Sequence, residues 1–136
     1  MSKIEGGCLC GKVRYQASGE ASMVVVCHCT HCRRQSGSAF SMNIGVPTAA
    51  LQVDGEALRR YQDTGDSGLP VYRHFCGECG SPIYSLIEVM PDIAFVKAGT
   101  LDDPSWVEPG VQVYCDSRLT WSRLPDGLAS FPKAPG

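Results

Sequence analysis

The spacing of the cysteines constrains this chain more than any other feature. Eight occur among 136 residues, as Cys8-Leu-Cys10, Cys27-His-Cys29-Thr-His-Cys32, Cys76-Gly-Glu-Cys79 and a solitary Cys115. A disulfide framework spreads its cysteines along the chain, whereas seven of these eight sit in three tight clusters. Two thiolates one or two residues apart on a tight turn reach the same ion, because zinc–sulfur bonds are about 2.3 Å long. Each cluster therefore reads as part of a zinc site. Glycines flank two of them, Gly6, Gly7 and Gly11 around the first and Gly77 and Gly80 around the third, where the backbone has to bend sharply about a metal.

A structural zinc takes four protein ligands, and a catalytic zinc usually keeps one position open. The seven clustered thiolates divide as four and three. Cys8 with Cys10 and Cys76 with Cys79 would close one tetrahedral staple between segments distant in sequence. Cys27, Cys29 and Cys32 would then carry a second, open zinc, giving two ions per chain. Counting leaves other groupings available, since His28, His31, His74 or Cys115 would complete the second site and make it purely structural.

Charge narrows the partners. Twelve Lys and Arg against fourteen Asp and Glu give −2, scattered without runs, so there is no basic footprint for nucleic acid. Two loaded clusters would make the protein more acidic still, because four thiolates around a dication sum to about −2 and three to about −1. The longest strongly apolar stretch, Met23 to Cys27, is far short of the roughly 20 residues needed to span a bilayer. Met1 to Cys8 lacks the apolar run of a signal peptide, so the expected location is the cytoplasm.

Length and balance fit one domain over residues 1–136. Apolar and polar residues alternate at Val13, Tyr15 and Ala17 and at Phe40, Met42, Ile44 and Val46, which is the period of strands. Further strands are expected at Met23 to Cys27, Leu51 to Val53, Leu58 to Gln62, Val71 to Phe75, Ile83 to Val89, Ile93 to Ala98 and Val111 to Cys115. One short helix, Cys32 to Ser36, would stop at Gly37. No longer stretch carries a helical stripe, and dispersed Gly and Pro supply turns, so the expected class is all-β, built of many short antiparallel strands. The tail from Phe131 is expected to fray.

Four segments in order resemble the glutathione-dependent formaldehyde-activating enzyme family, whose domain is shared with centromere protein V. They are Gly7-Cys-Leu-Cys-Gly11-Lys-Val-Arg-Tyr15, Cys27-His-Cys-Thr-His-Cys-Arg-Arg-Gln-Ser-Gly37-Ser-Ala-Phe40, Arg73-His-Phe-Cys76-Gly-Glu-Cys-Gly80 and Ala98-Gly-Thr-Leu-Asp-Asp103. A weaker fifth, Asp116-Ser-Arg-Leu-Thr-Trp121 with Leu124-Pro-Asp-Gly127, is similar to the family's C-terminal stretch. The resemblance implies a β-tent, a structural zinc on Cys8, Cys10, Cys76 and Cys79, and a second zinc on Cys27, Cys29 and Cys32. It implies condensation of formaldehyde with glutathione to S-hydroxymethylglutathione, formally carbon–sulfur lyase chemistry. One departure is Gln112, where family members commonly carry His.

Three thiolates overcompensate a zinc dication, which makes water activation less natural than binding a thiol or polarising an aldehyde. The expected function is therefore a zinc-dependent, carbon–sulfur lyase-like reaction on a small thiol–aldehyde adduct such as a glutathione conjugate. The competing expectation is a zinc-stabilised binding module with both metals structural. Thiol–disulfide exchange at Cys76-Gly-Glu-Cys79 lacks the βαβ context of thioredoxin-like proteins. Arg33 and Arg34 read as a solvated turn, Phe40 and Trp121 as core, and Cys115 as a buried thiol. His28 and His31 suit either a proton shuttle or a solvent-facing knuckle, and Gln112 and Tyr114 would share a face that could orient substrate.

Overall fold

Period-two alternation does most of the work in this fold. A computed structural model describes residues 4–135. In chain order its elements are β1 (Ile4–Gly7), β2 (Arg14–Ala17), β3 (Met23–Cys27), α1 (Thr30–Ser36), β4 (Ser41–Pro47), β5 (Leu51–Asp54), β6 (Leu58–Thr64), β7 (Pro70–Cys76), β8 (Pro82–Ile87), β9 (Ile93–Lys97), β10 (Val111–Val113) and β11 (Ala129–Ser130). A three-stranded sheet runs β1-β2-β5, and an eight-stranded sheet runs β11-β10-β3-β4-β9-β8-β7-β6. All pairings are antiparallel except those of β10, which lies parallel to both β3 and β11. The all-β expectation holds.

The two sheets share one core. Ile4, Val13 and Tyr15 come from the small sheet and its hairpin, and Ile44, Val46, Ala94 and Val96 come from the large one. Ile44, Val46 and Val96 are fully buried, and truncating such a side chain to Ala costs about 2–5 kcal/mol. Because side chains alternate, the large sheet's other face presents Ser41 and Asn43 from β4, Lys97 from β9 and Arg73 from β7. That polar face positions the second cysteine cluster.

The Ala98–Asp103 segment buckles the small sheet to the end of β9. Thr100 Oγ1 donates to the Lys97 carbonyl at 2.7 Å, so the Tyr15 hydroxyl, 2.7 Å away, donates to Thr100. Burial pushes the Tyr15 phenol up to about 12. Asp102 accepts a two-pronged contact from Arg14, with Nη1 at 2.9 Å from Oδ1, and the Asp102 amide donates to the Glu5 carbonyl.

Several local expectations are corrected. β1 and β11 carry no alternation to mark them, one being half glycine and the other two residues long. β10 stops at Val113 because Tyr114 turns into the left-handed region at φ 56°, which throws Cys115 into a 3-10 turn and leaves it half-buried rather than in the core. The turn also ends the alternation that would have put Gln112 and Tyr114 on one face. The tail does not fray before Lys133: Tyr114, Cys115 and Asp116 donate to the carbonyls of Lys133, Phe131 and Pro132, and Phe131 donates to Gln112. Trp121 is 69% exposed, not core, and Phe40 is half-buried.

Candidate metal centres

The first centre is assembled by two hairpins. Cys8 and Cys10 occupy the β1–β2 connection, where the Cys8 amide donates to the Val13 carbonyl and Gly11 turns at φ 82°. Cys76 ends β7 and Cys79 lies in the turn to β8, where Gly80 adopts φ 80° and donates to the Cys76 carbonyl. A non-glycine residue would be strained at either turn. The four sulfurs lie within 4.8 Å of one another, with Cys8 to Cys10 at 3.6 Å and Cys10 to Cys76 at 3.8 Å. Four sulfurs about 2.3 Å from a tetrahedral ion would stand about 3.8 Å apart, so the donor set fits zinc. Backbone amides support thiolates there, Val13 to Cys8 at 3.2 Å and Glu78 to Cys76 at 3.4 Å. Hydrogen bonds from Ser81 and from the Cys10 amide hold the Cys79 thiol down at about 5. A Lys12–Glu78 ion pair bridges the same hairpins at 3.0 Å, but both side chains are more than half exposed and add little.

The second centre forms where β3 ends. Cys27 is its last residue, Cys29 caps α1, and Cys32 lies in its first turn. The Cys29 sulfur accepts the Cys32 amide at 3.2 Å, and Gly37 closes the helix in the left-handed conformation. The helix thus begins two residues earlier than its sequence pattern suggests, because a thiol takes the capping role usually filled by Ser or Asp. It has seven residues and none of them is buried, so it is far too short to persist by itself. The sulfurs of Cys27, Cys29 and Cys32 lie within 4.8 Å of one another, again a set that could hold a metal.

Among the described residues, none of the other candidates joins this group. His28 is fully buried, with Nε2 2.9 Å from Gln112 Oε1. Gln112 Nε2 donates to Ser130 Oγ, which donates to the Leu128 carbonyl, so the order of donors puts the His28 proton on Nε2. Its Nδ1 has no partner. Gln112 is therefore a brace for His28. His31 is exposed and sits 2.7 Å from Asp63 Oδ2. His74 stacks flat on Tyr84 with ring centroids 4.2 Å apart, and the Cys115 sulfur donates to the Gln112 carbonyl.

Two buried basic side chains lie on the sheet face that carries the three-cysteine cluster. Arg73, 6% exposed, donates through Nε to Asp63 at 3.0 Å and points Nη1 at Cys32 Sγ, 3.8 Å away. Asp63 is partly desolvated, yet His31, the Thr64 amide and Arg73 hold its carboxyl below the usual range. Lys97 is 7% exposed and donates to Ser41 Oγ at 2.6 Å; its burial pushes its pKa down. Hydrogen bonds from Cys27 and Cys29, with the charges of Lys97 and Arg73 behind them, pull Cys32 down, whereas Cys29 and Cys32 push Cys27 up. Sequence reading missed Lys97, Asp63, Ser41 and Asn43. The one available signal was a lone lysine ending the apolar run Ile93-Ala-Phe-Val.

A family model described as glutathione-dependent formaldehyde-activating enzyme matches residues 3–117. A relative from Aspergillus flavus is 28% identical over 126 residues, covering 89% of this chain and 65% of its own length. One from Halomonas elongata is 28% identical over 103 residues, covering 73% and 66%. Both carry that enzyme's name provisionally, and the chain spans just under two thirds of their length. A crystal structure of a Rhodobacter sphaeroides protein superposes with a TM-score of 0.59 at 23% identity, over 78% of this chain and 92% of that one, which shows a shared fold. The family match runs through both cysteine centres and the Ala98–Asp103 buckle, and on it the chain belongs to the glutathione-dependent formaldehyde-activating enzyme family.

Proposed function

We propose that this chain is a zinc-dependent enzyme that makes or breaks a carbon–sulfur bond in a small thiol–aldehyde adduct, with S-hydroxymethylglutathione the first substrate to test. The whole of residues 1–136 serves as one zinc-binding domain with two ions: a closed site on Cys8, Cys10, Cys76 and Cys79, and an open one on Cys27, Cys29 and Cys32. The observation that carries this reading is the three-sulfur cluster, for which no described histidine, cysteine or carboxylate offers a fourth donor within 4.8 Å. The relatives' names supply the substrate class, and a glutathione-based reaction suits a cytoplasmic protein.

Zinc held there would supply a Lewis-acidic position that accepts a thiol or a carbonyl oxygen at neutral pH. The chain's own residues shape that position. Cys29 fixes the start of α1 and with it the placement of Cys32. Arg73, anchored by Asp63, faces the Cys32 sulfur and favours its thiolate form. In the condensing direction the thiol S–H bond breaks, a sulfur–carbon bond forms, and the carbonyl oxygen ends as a hydroxyl carrying the proton, so no oxidant or reductant is needed.

Cys29→Ser tests the assignment. Turnover of glutathione and formaldehyde should vanish while the circular dichroism of the β-fold remains. Unfolding of this variant would instead favour a binding module with two structural metals. Zinc analysis before and after mild chelation gives a second check, with loss of one ion from a folded protein expected.

A further inference from the structure

Lys97 is a lysine buried in the large sheet, 7% exposed, with no acidic partner among the described residues. The ion pairs of the described residues do not include it, and Asp63, the half-buried carboxylate of the site, is taken by Arg73 and His31. Its hydrogen bond goes to Ser41 Oγ, which passes its own proton to Asn43 Oδ1 at 3.0 Å. An isolated buried charge costs several kcal/mol unless something of opposite sign offsets it. Burial pushes the Lys97 pKa down and the Arg73 charge adds to that, while the thiols of Cys32, Cys27 and Cys29 oppose it. The sheet register explains the proximity: Ser41 is paired with Cys27, and Asn43 with Lys97. Ser41, the hydrogen-bond partner of Lys97, thus stands opposite Cys27, which puts the three thiols among the groups available to offset a charge on Lys97.

Three thiolates around a dication leave about −1. Arg73 is already balanced by Asp63, so Lys97 brings the surroundings to neutrality. A fourth ligand with a negative charge then enters a neutral site, whereas without Lys97 it would enter an anionic one. We propose that Lys97 determines the charge class of the ligand at the open position of the Cys27–Cys29–Cys32 centre, selecting an anionic thiolate over a neutral donor. This inference rests on the open-site reading proposed above.

The test uses cobalt(II)-substituted protein at fixed pH, titrated with glutathione and separately with imidazole as the neutral probe, followed by visible absorption. A unit charge several ångström away, acting through an effective dielectric near 20, changes anion affinity roughly ten- to a hundredfold. Lys97→Gln, which keeps a donor for Ser41, and Lys97→Met should weaken glutathione by about that factor and leave imidazole within about threefold. Lys97→Arg should restore glutathione binding. Equal losses for both ligands, a glutathione loss below about threefold, or no rescue by Arg would overturn the proposal. If neither neutral variant folds, the unmodified protein still decides, because a preference for imidazole over thiolate is incompatible with it. Wild-type protein that carries two cobalt ions yet binds neither ligand would remove the open site itself, a result distinct from loss of selectivity in the variants.

Discussion

Replacing Cys10 by Ser should destabilise the protein far more than replacing Cys29, although both remove one thiol. Cys10 is exposed, so Ser there opens no cavity and buries no unpaired hydroxyl, and the effect isolates the metal clip. Cys10 and Cys76 are 66 residues apart. Treated as a cross-link, closing a loop of that length is worth about 4 kcal/mol by chain entropy, whereas a loop of a few residues such as that from Cys27 to Cys32 is worth about 2 kcal/mol. For a domain of this size each kcal/mol moves Tm by roughly 3–5 °C, so Cys10→Ser should melt about 12–20 °C below wild type and Cys29→Ser by about half that. The assay is thermal unfolding with metal analysis on the same samples, in enough chelator that three remaining thiolates cannot retain the ion. If Cys10→Ser loses its metal and melts within about 3 °C of wild type, the idea that this centre holds the two sheets together is wrong. Equal destabilisation by Cys29→Ser would be as damaging, since it would give the short cluster the same structural weight.

Gln112→Ala should cost about 1–3 kcal/mol in urea unfolding, because it leaves the buried His28 Nε2–H without its acceptor. Thr100→Val should cost a similar amount, about 1–3 kcal/mol, by stranding the buried Tyr15 hydroxyl. Asp63 has a depressed folded-state pKa, so its contribution is present above the unfolded value near 4 and is lost as pH falls through the lower folded value. The stability gap between wild type and Asp63→Asn should therefore be open at about pH 5 and close below about pH 4. Mild chelation should speed amide exchange in α1 while β4 and β9 stay protected, because the helix buries no side chain and depends on the cluster that caps it.

The sequence made the cysteine clusters legible because ligand spacing suited to a metal leaves a local imprint. Sulfurs that one segment gives to a single ion must be near neighbours in sequence, and the tight turns that carry them favour glycine at residues such as Gly11 and Gly80. The strands of the large sheet were legible for a similar reason, their alternation being written residue by residue, as in Met42, Ile44 and Val46. The misreadings fall where a single backbone angle or a distant partner decides. Nothing local marks Tyr114 for the left-handed region, yet that residue ends β10 and moves Cys115 out of the core. Nothing local marks Phe131 and Lys133 as acceptors either; their partners, the amides of Cys115 and Tyr114, lie at the start of the 3-10 turn, far away in sequence.

The polar face of the large sheet was least visible, and it is where the two centres differ in kind. In the four-cysteine centre the thiolates are met by backbone amides and the Ser81 hydroxyl, neutral donors that a closed anionic site can use without further charge. Beside the three-cysteine centre stand two buried basic side chains, Arg73 with Nη1 3.8 Å from Cys32 Sγ and Lys97 bonded to Ser41 Oγ, from β7 and β9, strands that carry none of its three thiols. A charge is expensive to bury, and a purely structural site had a cheaper solution available in the same fold. The cations become intelligible if the second centre has to accommodate more negative charge than its three sulfurs bring. Under the proposed function that requirement follows from binding a thiolate in turnover, whereas under the alternative of a binding module with two closed metals it has no counterpart.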